Sequence, residues 1–171
     1  MRAARGRSEI RIPANLQNIW DHEIITARAL SKAGYTVEFL AAANTKDAKS
    51  PDILMDGELW EMKAPKTDKL SAIERNLKRA TRQSSNIIID SHRLRKIHDQ
   101  TVQHFLIKKF RQQRTISKLV FINRKREVID ISQLAWYRSI ISPCTEQYVP
   151  SAGAFCLQQH LYGCIYWHCV V

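Results

Sequence analysis

Between Pro51 and Lys63 the chain reads Pro-Asp-Ile-Leu-Met-Asp-Gly-Glu-Leu-Trp-Glu-Met-Lys. Three of its side chains, Asp52, Glu61 and Lys63, have the types and spacing to bind a divalent cation and act on a phosphodiester. Asp56-Gly57 between apolar runs predicts a two-residue hairpin turn, because both residues tolerate positive φ. The turn sets the register, with Met55 opposite Glu58, Leu54 opposite Leu59, Ile53 opposite Trp60 and Asp52 opposite Glu61. Side chains alternate along a strand. Asp52, Glu61 and Lys63 then share one face, and Ile53, Met55, Trp60 and Met62 share an apolar one. Opposed residues of an antiparallel pair have Cβ atoms roughly 4.5–5.5 Å apart. Two carboxylates there repel, and a divalent cation converts the repulsion into coordination. Such an ion polarises a phosphoryl oxygen and lowers the pKa of a bound water. Lys63 reaches the same space, where an ammonium orients a nucleophile or offsets charge developing on phosphate. The plainer reading is a solvated charge pair on an exposed sheet face, with Asp52 merely starting a strand.

A further acid lies upstream. Residues 14–32 read as a helix, with Pro13 at its start and Gly34 just past its end. Leu16, Ile19, Trp20, Ala27 and Leu30 form its apolar stripe, and Glu23 falls inside that stripe. A carboxylate on a core-facing stripe is unfavourable unless paired or metal-bound. The alternative is a marginal Glu that reaches water or pairs with Arg28 or His22.

The order Glu23, then Pro51-Asp52, then Glu61-Met62-Lys63 resembles the PD-(D/E)xK nuclease superfamily. Downstream, Arg79, Arg82 and Gln83 on a basic helix lead into Asn86-Ile-Ile-Ile-Asp90, followed by a long helix and a hairpin of 119–122 with 128–131. In this order the chain resembles, over roughly 21–132, the C-terminal tRNA-nuclease toxin domain of contact-dependent growth inhibition proteins. The resemblance implies a metal-assisted nuclease acting on RNA, tRNA in particular, with a cognate immunity protein as partner. It also implies a cytoplasmic site of action and is compatible with delivery as part of a secreted toxin. It carries Asp52 and Glu61 over as ligands of Mg²⁺ or Mn²⁺, Lys63 as the catalytic lysine and Glu23 as a supporting acid. The Met62 carbonyl is a further candidate ligand. On RNA the attacking group is either a positioned water or the neighbouring 2′-hydroxyl. Lys66, Lys78, Arg79, Arg82 and Gln83 are the expected nucleic-acid contacts.

Composition agrees with a polyanionic partner. The 171 residues carry a formal charge of +11, with pI near 9.8. A strongly basic chain favours nucleic acid through phosphate neutralisation. No apolar run is long enough to span a bilayer, and the basic start lacks the apolar stretch of a signal peptide. No membrane partner is expected. Residues 1–12 read as a basic arm, 13–141 as the nuclease-like domain and 142–171 as a tail rich in cysteine and aromatics. The tail has Glu146 as its sole charged residue and holds all four cysteines, Cys144, Cys156, Cys164 and Cys169. Their spacing contains no Cys-x-x-Cys pair and fits no common zinc pattern.

The remaining elements must position the site. A strand is expected over 35–42 and a polar loop over 44–50. Ser71-Ala-Ile-Glu74 is a candidate capping box for a helix whose stripe is Leu70, Ile73, Leu77 and Ala80. Ile87–Ile89 reads as a buried central strand, 93–114 as a helix, and 118–122 with 127–131 as a second hairpin. Arg124, Lys125 and Arg126 at its turn are phosphate contacts or a solvated loop. The expected fold is α/β, a PD-(D/E)xK nuclease-like mixed sheet of about five strands flanked by α-helices. Three other readings remain open: a DNA endonuclease of the same superfamily, a catalytically silent RNA-binding module, and an interaction protein of a mobile element.

Overall fold

The computed structural model describes residues 8–14, 16, 19–41 and 50–141, and the side chains of 137–141 lie outside that description. The tail over 142–171 and most of the loop over 44–50 also lie outside the described residues. The elements run β1 (Ile10–Arg11), α1 (Asp21–Lys32), β2 (Val37–Phe39), β3 (Ile53–Met55), β4 (Glu58–Lys63), α2 (Leu70–Ala80), β5 (Asn86–Asp90), α3 (Asp99–Gln112), β6 (Lys118–Ile122), β7 (Val128–Asp130) and α4 (Ile131–Ile141).

The seven strands form one mixed sheet in sequence order. Pairing is antiparallel from β2 to β4 and between β6 and β7, and parallel for β1–β2, β4–β5 and β5–β6. The expectation of about five strands is therefore corrected to seven among the described residues. The edge strands β1 and β7 have two and three residues. Elements that short contain no period to read and are defined by their neighbours' hydrogen bonds.

Alternation divides the sheet between two cores. Ile87, Ile89, Leu119 and Phe121 point to α2, α3 and α4 and pack with Ile73, Leu77, Leu94 and Leu106. Ile88, Val120 and Ile122 point the other way, to Ala27 and Leu30 of α1, and join Ile53, Met55, Trp60 and Met62. Helices thus cover both faces, which is why β5 is apolar on each. The expected stripe of α2 is the one observed, with Ile73, Leu77 and Ala80 fully buried.

Four local expectations are corrected. First, α1 starts at Asp21, not Ala14. The Trp20 amide donates to Glu23 Oε2 at 3.1 Å, so a carboxylate in the first turn of the helix binds the amide of the residue just before it. Trp20 consequently stands outside the helix, 69% exposed. Second, the Ser71–Glu74 box does not form. Lys69 precedes the first turn without a side-chain cap, and Lys109 pairs with Glu74 instead. Third, α3 starts at Asp99 rather than Arg93. Asp68 Oδ1 accepts the amides of Arg95, Lys96 and Ile97 at 2.8, 3.0 and 3.2 Å, which holds this stretch as a turn against the loop before α2. Fourth, β7 ends at Asp130, and Ile131 begins α4, whose first turn is capped by Asp130 Oδ1 accepting the Gln133 amide at 3.0 Å.

Candidate functional site

The hairpin folds in the register its turn dictates. Ile53, Leu54 and Met55 pair with Trp60, Leu59 and Glu58. Asp56 and Gly57 take φ of 49° and 83°, the double left-handed turn that Asp-Gly accepts most readily. Asp56 Oδ1 accepts the Thr36 amide at 2.9 Å, which ties the turn to the start of β2.

β4 changes partners along its length. Glu58–Trp60 pair with β3, whereas Glu61–Lys63 pair in parallel with Ile87–Ile89 of β5. Asp52 therefore lies just beyond the end of the β3–β4 ladder. Its Oδ2 accepts the Met62 amide at 2.8 Å, which fixes the carboxylate beside β4. Glu61 is completely buried. Its Oε1 accepts from the Lys63 ammonium, and its Oε2 is buried without a hydrogen-bond partner. Asp52 is close enough for its charge to act on Glu61. The structure therefore brings Asp52, Glu61 and Lys63 together on the face predicted for them.

Burial is the chief reason that Glu61 holds its proton up to about pH 7. The neighbouring Asp52 charge pushes the same way, and Lys63 opposes both. Glu23, the capping residue of α1, is half-buried and also raised, through burial and then the Asp52 charge, against the Trp20 amide and Lys63. It lies within the field of Asp52 and Lys63, but its carboxylate is occupied with the helix end.

An unpartnered, fully buried carboxylate oxygen is costly unless a proton or a cation satisfies it. Among the described residues, no three His, Cys, Asp or Glu side chains gather as a metal-holding group. Two carboxylates suit an ion of the Mg²⁺ type, which commonly takes one or two protein carboxylates and completes its shell with water and phosphate oxygens. They do not suit a closed structural site.

The predicted nucleic-acid contacts divide. Lys66 and Arg79 line a cleft of about 400 Å³ immediately after β4. Lys78 is exposed on α2 and does not line it. Arg82 and Gln83 lie past the end of α2 rather than on it. Gln83 Nε2 reaches the Ser50 carbonyl at 3.5 Å, close to the approach to Asp52.

Sequence reasoning missed three contributors. Arg93 lines the cleft, together with Arg75 from the basic face of α2. His22 lies in the field of Asp52 on one side and of Arg93, His92 and Lys66 on the other, and burial together with those cations lowers its pKa. Asp90, fully buried at the end of β5, anchors the assembly. Arg126 donates to both its oxygens, at 2.7 and 2.9 Å, and the Thr26 hydroxyl and His92 amide add bonds of 2.7 and 2.9 Å. This network pins α1, and with it His22 and Glu23, to the sheet. The turn cations are correspondingly internal. Arg126 serves Asp90 and Arg124 pairs with Asp99, so neither is a free phosphate contact. An acid directly after the apolar run 87–89 was the one available signal.

Residues 49–128 match the family described as the contact-dependent growth inhibition CdiA C-terminal domain. That segment runs from before Asp52 to the first residue of β7. The fold is similar to a solved "CdiA-CT/CdiI toxin and immunity complex from Burkholderia pseudomallei", with a TM-score of 0.53 and 17% identity, covering 72% of this chain and 98% of that one. At that identity the likeness is one of fold. None of the curated proteins matches this sequence.

Proposed function

We propose that this chain is a toxin domain of the contact-dependent growth inhibition type, and that it is a metal-assisted endonuclease cutting RNA, with tRNA its target. The observation that carries the nuclease reading is the completely buried Glu61 beside the part-buried Asp52, with Lys63 bonded to one Glu61 oxygen and the other oxygen without a hydrogen-bond partner. The toxin reading is supported by the family match over 49–128 and by the fold likeness to a toxin bound to its immunity protein. A cognate immunity protein is accordingly the expected partner. The target cytoplasm is the expected site of action, reached by delivery as part of a secreted protein. Among the described residues, no helix is long and apolar enough to cross a membrane.

Asp52 and Glu61 would hold Mg²⁺ or Mn²⁺, which when bound supplies Lewis-acid polarisation of a phosphoryl oxygen. The chain's own residues do the rest. Lys63 holds Glu61 in place and presents an ammonium to the attacking group or to the developing phosphate charge. Asp52 is oriented by the Met62 amide. Glu23 caps the start of α1 and lies within the field of Asp52 and Lys63 at the site's edge.

The test is cleavage by the purified protein of total tRNA and of duplex DNA, each with Mg²⁺ or with EDTA. The expected result is Mg²⁺-dependent cutting of tRNA that the Glu61→Ala, Lys63→Ala double variant loses. Cutting of DNA alone makes the enzyme a DNA endonuclease. Binding without cutting makes it a silent RNA-binding module. Cutting that survives the double variant unchanged removes the site assignment.

A further inference from the structure

We propose that the cleft between α2, the segment 64–67 and Arg93 grips the phosphate backbone of a single nucleic-acid strand beside the carboxylate site, without reading its bases. The inference deepens the nucleic-acid reading above and rests on it. Four cations, Lys66, Arg75, Arg79 and Arg93, line the cleft together with Thr67 and Asn76, and no carboxylate does. Among the described residues, none of the four makes a salt bridge or a side-chain hydrogen bond. Six other cations among the described residues are paired: Arg11 with Glu9, Lys63 with Glu61, Lys109 with Glu74, Lys118 with Glu58, Arg124 with Asp99 and Arg126 with Asp90. Four like charges converging on one concavity repel each other unless an anion lies between them.

The cleft is built rather than incidental. Its two loop walls are joined by Asp68, which sits just after Thr67 and accepts the amides of Arg95, Lys96 and Ile97. That turn presents Arg93 opposite Arg75 and Arg79 of α2. The cleft begins at Ala64, directly after the catalytic strand β4. His22 is within electrostatic reach of both Asp52 and the cleft residues Lys66 and Arg93. A strand passing the carboxylates therefore enters the cleft with its next phosphates.

The lining also says what is not recognised. No aromatic side chain lines the cleft, so it offers no stacking platform for bases. Arginine and lysine contacts to phosphate position a strand and carry no sequence information. A flexible single strand enters a concavity of about 400 Å³ more readily than a stiff duplex does.

The experiment uses the full chain in EDTA, with labelled single-stranded oligonucleotides of two unrelated sequences and a duplex of one of them. Affinities are measured from low to moderate salt by fluorescence anisotropy. Arg75→Ala, Arg93→Ala should weaken single-strand binding on the order of tenfold per residue lost, equally for both sequences. The salt slope should fall by about 1.4, that is about 0.7 per phosphate contact. Lys32→Ala, at the far end of α1, removes a charge outside the cleft and should leave both quantities close to wild type. Circular dichroism checks the fold, and the exposed Arg75→Ala alone serves if the double variant unfolds. Unchanged affinity and slope in the folded variants overturn the proposal, as does a loss confined to one sequence or an equal loss on the duplex. Cleft-dependent binding with no cutting in Mg²⁺ leaves the cleft standing and removes the nuclease. Cutting by the cleft variant with unaltered KM removes the cleft and leaves the nuclease.

Discussion

Replacing Glu61 by glutamine should make the protein more stable at alkaline pH, and the size follows from the site. In the folded chain Glu61 is completely buried, and burial, reinforced by the Asp52 charge, moves its titration from 4.5 to about 7. The proton is held more tightly folded than unfolded. The associated stability is therefore fully present below pH 4.5 and is lost as pH rises through 7. The gap, at 1.36 kcal/mol per pH unit, amounts to about 3 kcal/mol. Glutamine fills the same space, can still accept from Lys63 and never ionises. Between pH 4.5 and 8 the wild type should lose about 3 kcal/mol relative to Glu61→Gln, or roughly 6–12 °C in Tm for a chain of this size.

Urea melts of both proteins at several pH values in EDTA measure the difference directly, and taking that difference cancels the common carboxylates that lie away from Glu61. Above pH 7, added Mg²⁺ should recover stability in the wild type and not in the variant, because an ion bound only by the folded state stabilises it by mass action. Parallel stability curves for the two proteins across this range would refute a buried Glu61 with a pKa raised by its surroundings. An Mg²⁺ response of equal size in both would refute Glu61 as a ligand.

Two structural predictions follow from neighbouring elements. Arg126→Ala should cost about 3 kcal/mol in denaturant unfolding, because it breaks a buried ion pair and leaves the Asp90 carboxyl with only Thr26 and His92 as partners. Adding Asp90→Asn should recover part of that loss, and simple additivity of the two changes would contradict the coupling. Gly57→Ala places a Cβ at φ 83° in open space, so its penalty is backbone strain alone, about 1 kcal/mol by thermal melting, and a neutral result would deny that the turn is left-handed.

Much of the site was legible because it is local. Asp56-Gly57 accepts two positive φ values, a two-residue turn leaves one register, and alternation then assigns every side chain from Asp52 to Lys63 to a face. The apolar stripe of α2 and the run 87–89 were readable for the same reason. The boundaries of α1 and α3 were not. Glu23 caps Trp20, and Asp68 captures the amides of residues 95–97 from 27 to 29 positions away in the chain, so periodicity extended each helix past its true start.

The sequence by itself determined that two carboxylates and a lysine share one side of a hairpin, since turn chemistry and a period of two are properties of adjacent residues. Only the tertiary structure decided that Glu61 is sealed from water, that one of its oxygens lacks a partner and that Arg75 and Arg93 meet Lys66 and Arg79. Burial and convergence of that kind arise from packing α2 and β5 against β4 and from the turn after β5. Those contacts join segments far apart in the chain, and no local pattern encodes them.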